Sequence, residues 1–448
     1  MDLSTVITVE VTQLPPSLSA QGFGRMLGLV YNPAFTARTK SYFSAAEGAT
    51  DYPNTQSAER RFLDAAFSQT PHPTEVKLGR GALKPTLRYK ISALTPASFP
   101  TTLYTVGVKF GSTSTSVSFT TDASPTDAEF ATALVTALNG VAGKNFTASG
   151  SASPVTVTAD TPGAFFALEV KNRQLMSITM DHADPGIATD LAAILAEDPF
   201  FDLVIPTQAS DAMIAAAGVW ALANTRLFMF DTCDSAAVTT VKGSASDPID
   251  VIQTIGNRLA SGWFHTDPAM MLAAAVAGKV LPTDAGSETW AFKTLDGVNP
   301  VTMSEAEFQH LKDKDGNTYV AFGANDAVKV TWDGSTASGS YLDLQRGLLW
   351  FISLVQTDVF NFFTAASASG KIGFDAEGRA ALQAIYRSSC KKGVKRKFIA
   401  PDEFTVTMLA LADVPAADRQ NRHYPDTTIE FRALGAMHSA DVKLVMKV

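Results

Sequence analysis

Between residues 183 and 290 strongly apolar segments alternate with helix-forming ones, and this alternation constrains the fold more than any other feature of the chain. "FDLVIPT" and "TRLFMFDTC" are apolar almost without a break, as strands are when both faces of a sheet are covered. Around them "GIATDLAAILAE", "SDAMIAAAGVWALAN" and "PIDVIQTIGNRLAS" have helical composition, and Ser210 stands where an N-cap belongs. Strand and helix in alternation is the pattern of an α/β layer.

The layer draws on an earlier segment too. Residues 57–67 place Phe62, Ala65, Ala66 and Phe67 on a helical stripe, Pro71 and Pro73 end that helix, and "TEVKLGR" follows as a strand. From 86 to 172 the composition shifts to Thr, Ser, Ala and Gly. Strands are expected at "LYTVGVKF", "TSVSFTT", "PVTVTAD" and "AFFALEV", around one helix at "DAEFATALVTALNG" whose Phe130, Leu134 and Leu138 share a face. This stretch reads as a ββαββ unit inserted into a discontinuous α/β domain formed by 21–85 and 173–300. The fold class is mixed, α/β and α+β in several domains.

Beyond residue 300 a helix at "SEAEFQHLKDK" leads to hairpin strands at "NTYVAFG" and "AVKVTWDG". The apolar stretch 348–363 is interrupted by Gln356, Asp358 and Asn361 and falls short of the roughly 18 residues of a membrane span, so a buried helix is expected. A second helix follows, with Asp375 as its cap, Gly393 at its end, and Leu382, Ile385 and Tyr386 on its buried side. Arg379, Arg387 and Lys391 are spaced by multiples of four with Gln383 between them, which predicts one cationic ridge continued by Lys392, Lys395, Arg396 and Lys397.

Both ends of the sequence carry the period-2 signature of strands. Ile7, Val9 and Val11 alternate with Thr8, Glu10 and Thr12; Ile429 and Phe431 alternate with Glu430 and Arg432; Val442, Leu444, Met446 and Val448 alternate across Lys443 and Lys447. Residues 1–20 and 427–448 therefore read as strand arms flanking a C-terminal domain over 301–426 and the domains before it. Such strands either complete a sheet of their own chain or add to the edge of a neighbour's.

Composition and motifs exclude several classes. With 36 Lys+Arg against 44 Asp+Glu the chain has no charge profile of a nucleic-acid binder. Two cysteines, Cys233 and Cys390, suggest neither a disulfide scaffold nor a thiolate metal site. Six histidines lie without metal-ligand spacing, and the turn Asp313 to Asn317 misses the calcium-loop pattern because Leu311 and Phe322 fall on ligand positions. No nucleophile elbow or phosphate-binding loop occurs, so no catalytic residue, cofactor or metal is expected. Asp231, His265 and Asp267 are the nearest approach to a site.

Four stretches in order carry a resemblance: "FLDAAFSQTPHPTEVKLGR" (62–80), the block from "NTYVAFG" to "LLWFISLVQTDVFNFF" (317–363), "KIGFDAEGRAALQAIYRSSCKKG" (371–393), and the terminal "IEFRALGAMHSADVKLVMKV". Together they are similar to the tail sheath proteins of contractile bacteriophages, whose architecture is shared by other contractile injection systems. The resemblance implies a non-catalytic virion protein that stacks as six-fold rings in a helical array around a tail tube. On contraction the array drives the tube through the host envelope for genome ejection. The implied partners are further copies of the chain, the tube protein, and baseplate and tail terminator proteins, with assembly in the host cytoplasm and neither nucleic acid nor membrane insertion involved. The resemblance further implies that Ile7, Val9, Val11, Ile429, Phe431, Val442, Leu444 and Met446 lie in arms that cross to neighbours in strand exchange. It makes 301–426 the inner, tube-facing domain, with Arg379, Gln383, Arg387, Lys391 and Lys392 as tube contacts, and turns 86–172 outward. Left open are a different tail or baseplate component, the sheath of a related contractile injection system, and an α/β enzyme built on Asp231, His265 and Asp267.

Overall fold

The structure is a computed structural model that describes residues 22–440. These form two compact units, one of Phe23–Arg346 with residues 436–440, the other of Gly347–Gly435 with Gly22.

The larger unit opens with β1 (Met26–Val30), β2 (Thr39–Tyr42), α1 (Ala45–Asp51), α2 (Ala58–Phe67) and β3 (Val76–Arg80). Ser57 starts α2 by accepting from the Arg60 N–H at 3.2 Å. A long excursion follows: β4 (Arg88–Ala93), β5 (Leu103–Phe110), β6 (Thr113–Thr120), α3 (Asp127–Asn139), β7 (Phe146–Ser149), β8 (Val155–Ala159), β9 (Phe166–Val170) and β10 (Met176–Met180). The chain then returns through α4 (Ile187–Glu197), β11 (Leu203–Pro206), α5 (Asp211–Ala223), β12 (Leu227–Thr232), α6 (Ala236–Thr239), α7 (Pro248–Ile255), β13 (Ala260–Phe264) and α8 (Leu272–Val280). It closes with α9 (Glu305–Asp313), β14 (Asn317–Phe322) and β15 (Val328–Trp332).

One eight-stranded sheet organises this unit, in the order β15-β14-β13-β12-β11-β1-β3-β2. The six inner strands run parallel, and β2 and β15 pair antiparallel at the two edges. Strands β1, β11 and β13 are buried at every residue, the burial that continuous apolar runs require of a sheet covered on both faces. Leu29, Val204 and Phe228 meet Ile214, Ala217 and Ile252 of α5 and α7 in one core. Helices α2 and α8 pack closely because Gly278 presents no Cβ where Ala66 O would lie 2.4 Å away.

Two local outcomes differ from the sequence reading. The helix expected to run on to Ser261 stops at Ile255, because Gly256 takes a φ of 66° at its C-cap, and the residues beyond become β13. The inserted segment is also larger than a ββαββ unit. The expected strands and helix are β5, β6, β8, β9 and α3, but β4, β7 and β10 join them in two sheets, β10-β4-β8-β7 and β6-β5-β9. Tyr89, Tyr104, Val157, Phe130 and Phe166 give this segment a core of its own.

The smaller unit takes most of α10 (Leu342–Ser369), whose first residues belong to the larger one. It continues with α11 (Ala376–Lys395), β16 (Ile399–Thr407), α12 (Ala416–Gln420) and β17 (Thr428–Ala433). Asp375 caps α11, accepting from the Gly378 N–H at 2.8 Å. The helix continues through Gly393, which is buried against Ile399. At 28 residues α10 is much longer than the 348–363 stretch, and only one side of it is covered. Leu349, Trp350, Phe351 and Leu354 are buried, whereas Ile352, Phe360 and Phe363 are about half exposed, which corrects the expectation of a buried helix. Among the described residues, α10 is the one helix long and apolar enough, by length and composition, to cross a membrane.

Candidate assembly interface

The expected cationic ridge is divided by the geometry of α11. Eight residues at 3.6 per turn place Arg379 about 80° around the axis from Arg387, toward the segment after β16. Arg379 lies along its own chain: its Nε donates to Leu409 O at 2.8 Å and Tyr424 Oη at 3.0 Å, and its Nη2 to Met408 O at 2.9 Å. Gln383 Nε2 likewise donates to Val406 O at 3.1 Å. Both side chains fasten the segment after β16 to the helix.

The solvent-facing side of α11 carries Ala380, Ala384, Arg387, Lys391 and Lys395, three or four residues apart. Lys392 borders this face but is paired, its Nζ lying 2.6 Å from Asp358 Oδ1. Ser389 donates to the other oxygen of Asp358 at 2.7 Å, so one carboxylate of α10 locks α11 in register. Burial pushes the nearby Cys390 thiol up to about 11.

Beside the helices lies a sheet of only two strands. β16 and β17 pair antiparallel, with Phe404 opposite Phe431 and Val406 opposite Ile429, and an irregularity between Ile399 and Phe404. Phe431 packs on Phe351 at 5.1 Å and on Phe398 at 5.5 Å between ring centroids. Ile429 and Phe431, expected in an arm, pair with β16 of their own chain, and the apolar rings of Phe351 and Phe398 pack on Phe431. Arg432 pairs with Glu403 across the strands, and this hydrogen bond lowers the Glu403 carboxyl below its usual range. A two-stranded sheet is marginal by itself, and both outer edges of this one are without a strand partner among the described residues. Ile7, Val9, Val11, Val442, Leu444 and Met446 lie outside the described residues.

The residues considered for catalysis are occupied locally. His265 is buried, its Nε2 donating to Asn299 O at 2.9 Å and its Nδ1 accepting from the Asp267 N–H at 3.0 Å. Asp267 Oδ1 accepts from Ala269 N at 2.9 Å and Oδ2 pairs with Lys109. Asp231 accepts from Ala273 N at 2.7 Å, and burial raises its carboxyl to about 7. Among the described residues no group of three or more His, Cys, Asp or Glu side chains is placed to hold a metal ion.

No protein family profile matches the chain, and no curated protein matches it. Solved structures do. The sheath complex of the extracellular contractile injection system PVC, in its contracted state, aligns over 99% of this chain and 97% of its own with a TM-score of 0.53 at 10% identity. The sheath tail protein Lin1278 of Listeria innocua aligns over 87% of this chain and 89% of its own, with a TM-score of 0.42 at 11% identity. A chain of the anti-feeding prophage baseplate aligns over 59% of this chain and 73% of its own, with a TM-score of 0.42 at 15% identity. The PVC alignment runs from end to end, through both units and the inserted segment. The chain has the fold of a contractile-injection-system sheath protein.

Proposed function

We propose that this chain is the sheath subunit of a contractile tail or injection particle. Its copies stack as six-fold rings around a tail tube, and the stack shortens to drive the tube through a target envelope. Partners in this reading are other copies of the chain, the tube, and the baseplate and terminator proteins at the two ends, with the inserted segment 86–172 facing outward and assembly in the host cytoplasm.

The observation that carries the reading is the two-stranded sheet of β16 and β17, whose outer edges have no strand partner among the described residues, in a chain whose sequence is strand-patterned at both ends. Adding a strand to such an edge gains several backbone hydrogen bonds at about 0.5–1.5 kcal/mol each. Links of that kind hold a lattice together while its rigid parts turn. Contacts to the tube must instead release, and the exposed pair Arg387 and Lys391 suits this, because exposed charge pairs contribute only about 0–1 kcal/mol each.

Negative-stain electron microscopy of the purified full chain, alone and with its tube protein, tests the reading. Hollow cylinders or stacked rings are expected; a dispersed monomer at high concentration in both samples contradicts it.

A further inference from the structure

One patch of the larger unit is unused by the reading above. Phe292, Phe322 and Val328 are 45%, 40% and 54% exposed, an apolar concentration that solvent does not favour. The rings of Phe292 and Phe322 form a continuous surface with Trp332 and Phe308. Trp332 lies 5.9 Å from Phe292 and 6.1 Å from Phe322, and Phe308 lies 5.6 Å from Trp332. Val328 stands opposite Phe322 in the hairpin register.

The patch borders an open strand edge. β15 is the outermost strand of the eight-stranded sheet, and Thr331 already uses its outward side, donating to Lys293 O at 3.0 Å and accepting from Phe292 N at 2.9 Å. Strand alternation turns Lys329 the same way, and its main-chain groups have no backbone partner among the described residues.

The chain itself arrives at this surface. Thr289 Oγ1 and His438 Nε2 lie 2.9 Å apart, and the His438 ring stands 5.7 Å from Phe292 and 5.1 Å from Tyr341. Two residues past His438 the described chain stops, and the next eight, "DVKLVMKV", set Val442, Leu444, Met446 and Val448 at every second position. Eight extended residues reach about 26 Å at roughly 3.3 Å each. From His438 to Phe292, Trp332 and Phe322 there are three ring-to-ring steps, none longer than 6.1 Å.

We propose that in the unassembled subunit residues 441–448 dock on their own chain, as an added strand beside Lys329 with their apolar side chains on Phe292, Trp332 and Phe322. The proposal rests on the sheath reading and supplies its regulation: a docked segment is withheld from neighbours, so free subunits do not polymerise before a growing end offers a better edge. Tethering favours this state, because a short linker gives the segment an effective concentration in about the millimolar range.

Hydrogen exchange on the monomeric full chain tests it. The Lys329 amide should exchange about tenfold more slowly in the full chain than in a chain lacking 441–448, and Leu444→Asp in the full chain should abolish that protection. Equal exchange in all three overturns the proposal. Protection that appears only at concentrations where the chain self-associates assigns the segment to a second copy and overturns it too. The measurement needs no sheath: protection in a chain that stays dispersed alone fits both, whereas protection in a chain that forms no cylinders even with its tube protein contradicts the proposed function while leaving the docking intact. Cylinders formed by a chain with an unprotected edge would do the reverse.

Discussion

Arg346 and Glu288 are joined by an ion pair of 2.8 Å in which each side chain is 1% exposed. The same guanidinium donates from Nε to Phe23 O at 2.6 Å and from Nη2 to Leu281 O and Thr283 O, each at 2.9 Å. One side chain thereby ties the first residue of the larger unit, the turn after α8 and the start of α10. Removing one partner of a buried pair strands the other charge, at a typical cost of about 3–5 kcal/mol. Arg346→Met should therefore lower unfolding free energy by about that amount in denaturant titration. Replacing both residues together, Arg346→Met with Glu288→Leu, should recover part of the loss; a double variant worse than either single would show that the carbonyl contacts dominate.

Gly278 and Ala66 make a second test of packing. A Cβ at position 278 would meet Ala66 O at 2.4 Å and Ala66 Cα at 2.8 Å, and both are backbone atoms that cannot turn aside. Although alanine is the better helix former, Gly278→Ala should destabilise by about 1–3 kcal/mol through forced separation of α2 and α8. A neutral or higher thermal midpoint would mean the two helices slide apart freely.

Stability should fall as pH rises from about 6.5 to 8. Burial, with Asp234 and other carboxylates nearby, raises the Asp211 carboxyl to about 8, and burial raises Asp231 and Asp234 to about 7 each. Their unfolded values are near 3.9, so between about pH 4 and 8 the folded chain holds protons that the unfolded chain has released. Stability from these groups is present at low pH and lost as pH climbs through the folded values. His182 acts in the opposite sense, its ring being lowered to about 4 by burial, but only below its ordinary value of 6.5. Thermal midpoints measured from pH 6.5 to 8.5 should decline, and Asp211→Asn should flatten the slope; a midpoint that rises over this range would contradict the assignment.

The two parts of the basic helix should separate in mutants. Arg387→Glu with Lys391→Glu changes exposed charges only, so stability should shift by no more than about 0.5 kcal/mol, while co-assembly with tube protein weakens more than formation of empty sheath. Arg379→Ala removes three hydrogen bonds to Leu409 O, Tyr424 Oη and Met408 O, and should instead destabilise the fold by about 1–3 kcal/mol. Sedimentation of tube-loaded and empty assemblies checks the first pair, and thermal denaturation checks the second.

Arg379 also marks where sequence reading ran out. Multiples of four suggested one face, but a helix advances 100° per residue, and the error over eight residues moved Arg379 onto the carbonyls of Met408 and Leu409. The α/β layer was legible because its strands are apolar on both faces and its helices α2 and α5 begin at Ser57 and Ser210. The end of α7 at Gly256 was signalled only by one glycine inside an otherwise helical run. β4, β7 and β10 are short, alternate weakly and gain their place from sheet partners distant in sequence, which no local pattern reports. Likewise Ile429 and Phe431 have the right alternation for a strand, yet the pattern does not name the partner β16 or the rings of Phe351 and Phe398 that Phe431 meets.

Cryo-electron microscopy of the assembled polymer, resolved well enough to trace β16 and β17, decides whether subunits exchange strands. This two-stranded sheet should gain at least one strand supplied by another copy of the chain, drawn from residues 1–20 or 441–448. A cylinder in which the sheet keeps only its own two strands, with every terminal segment folded on the subunit that carries it, would contradict the account.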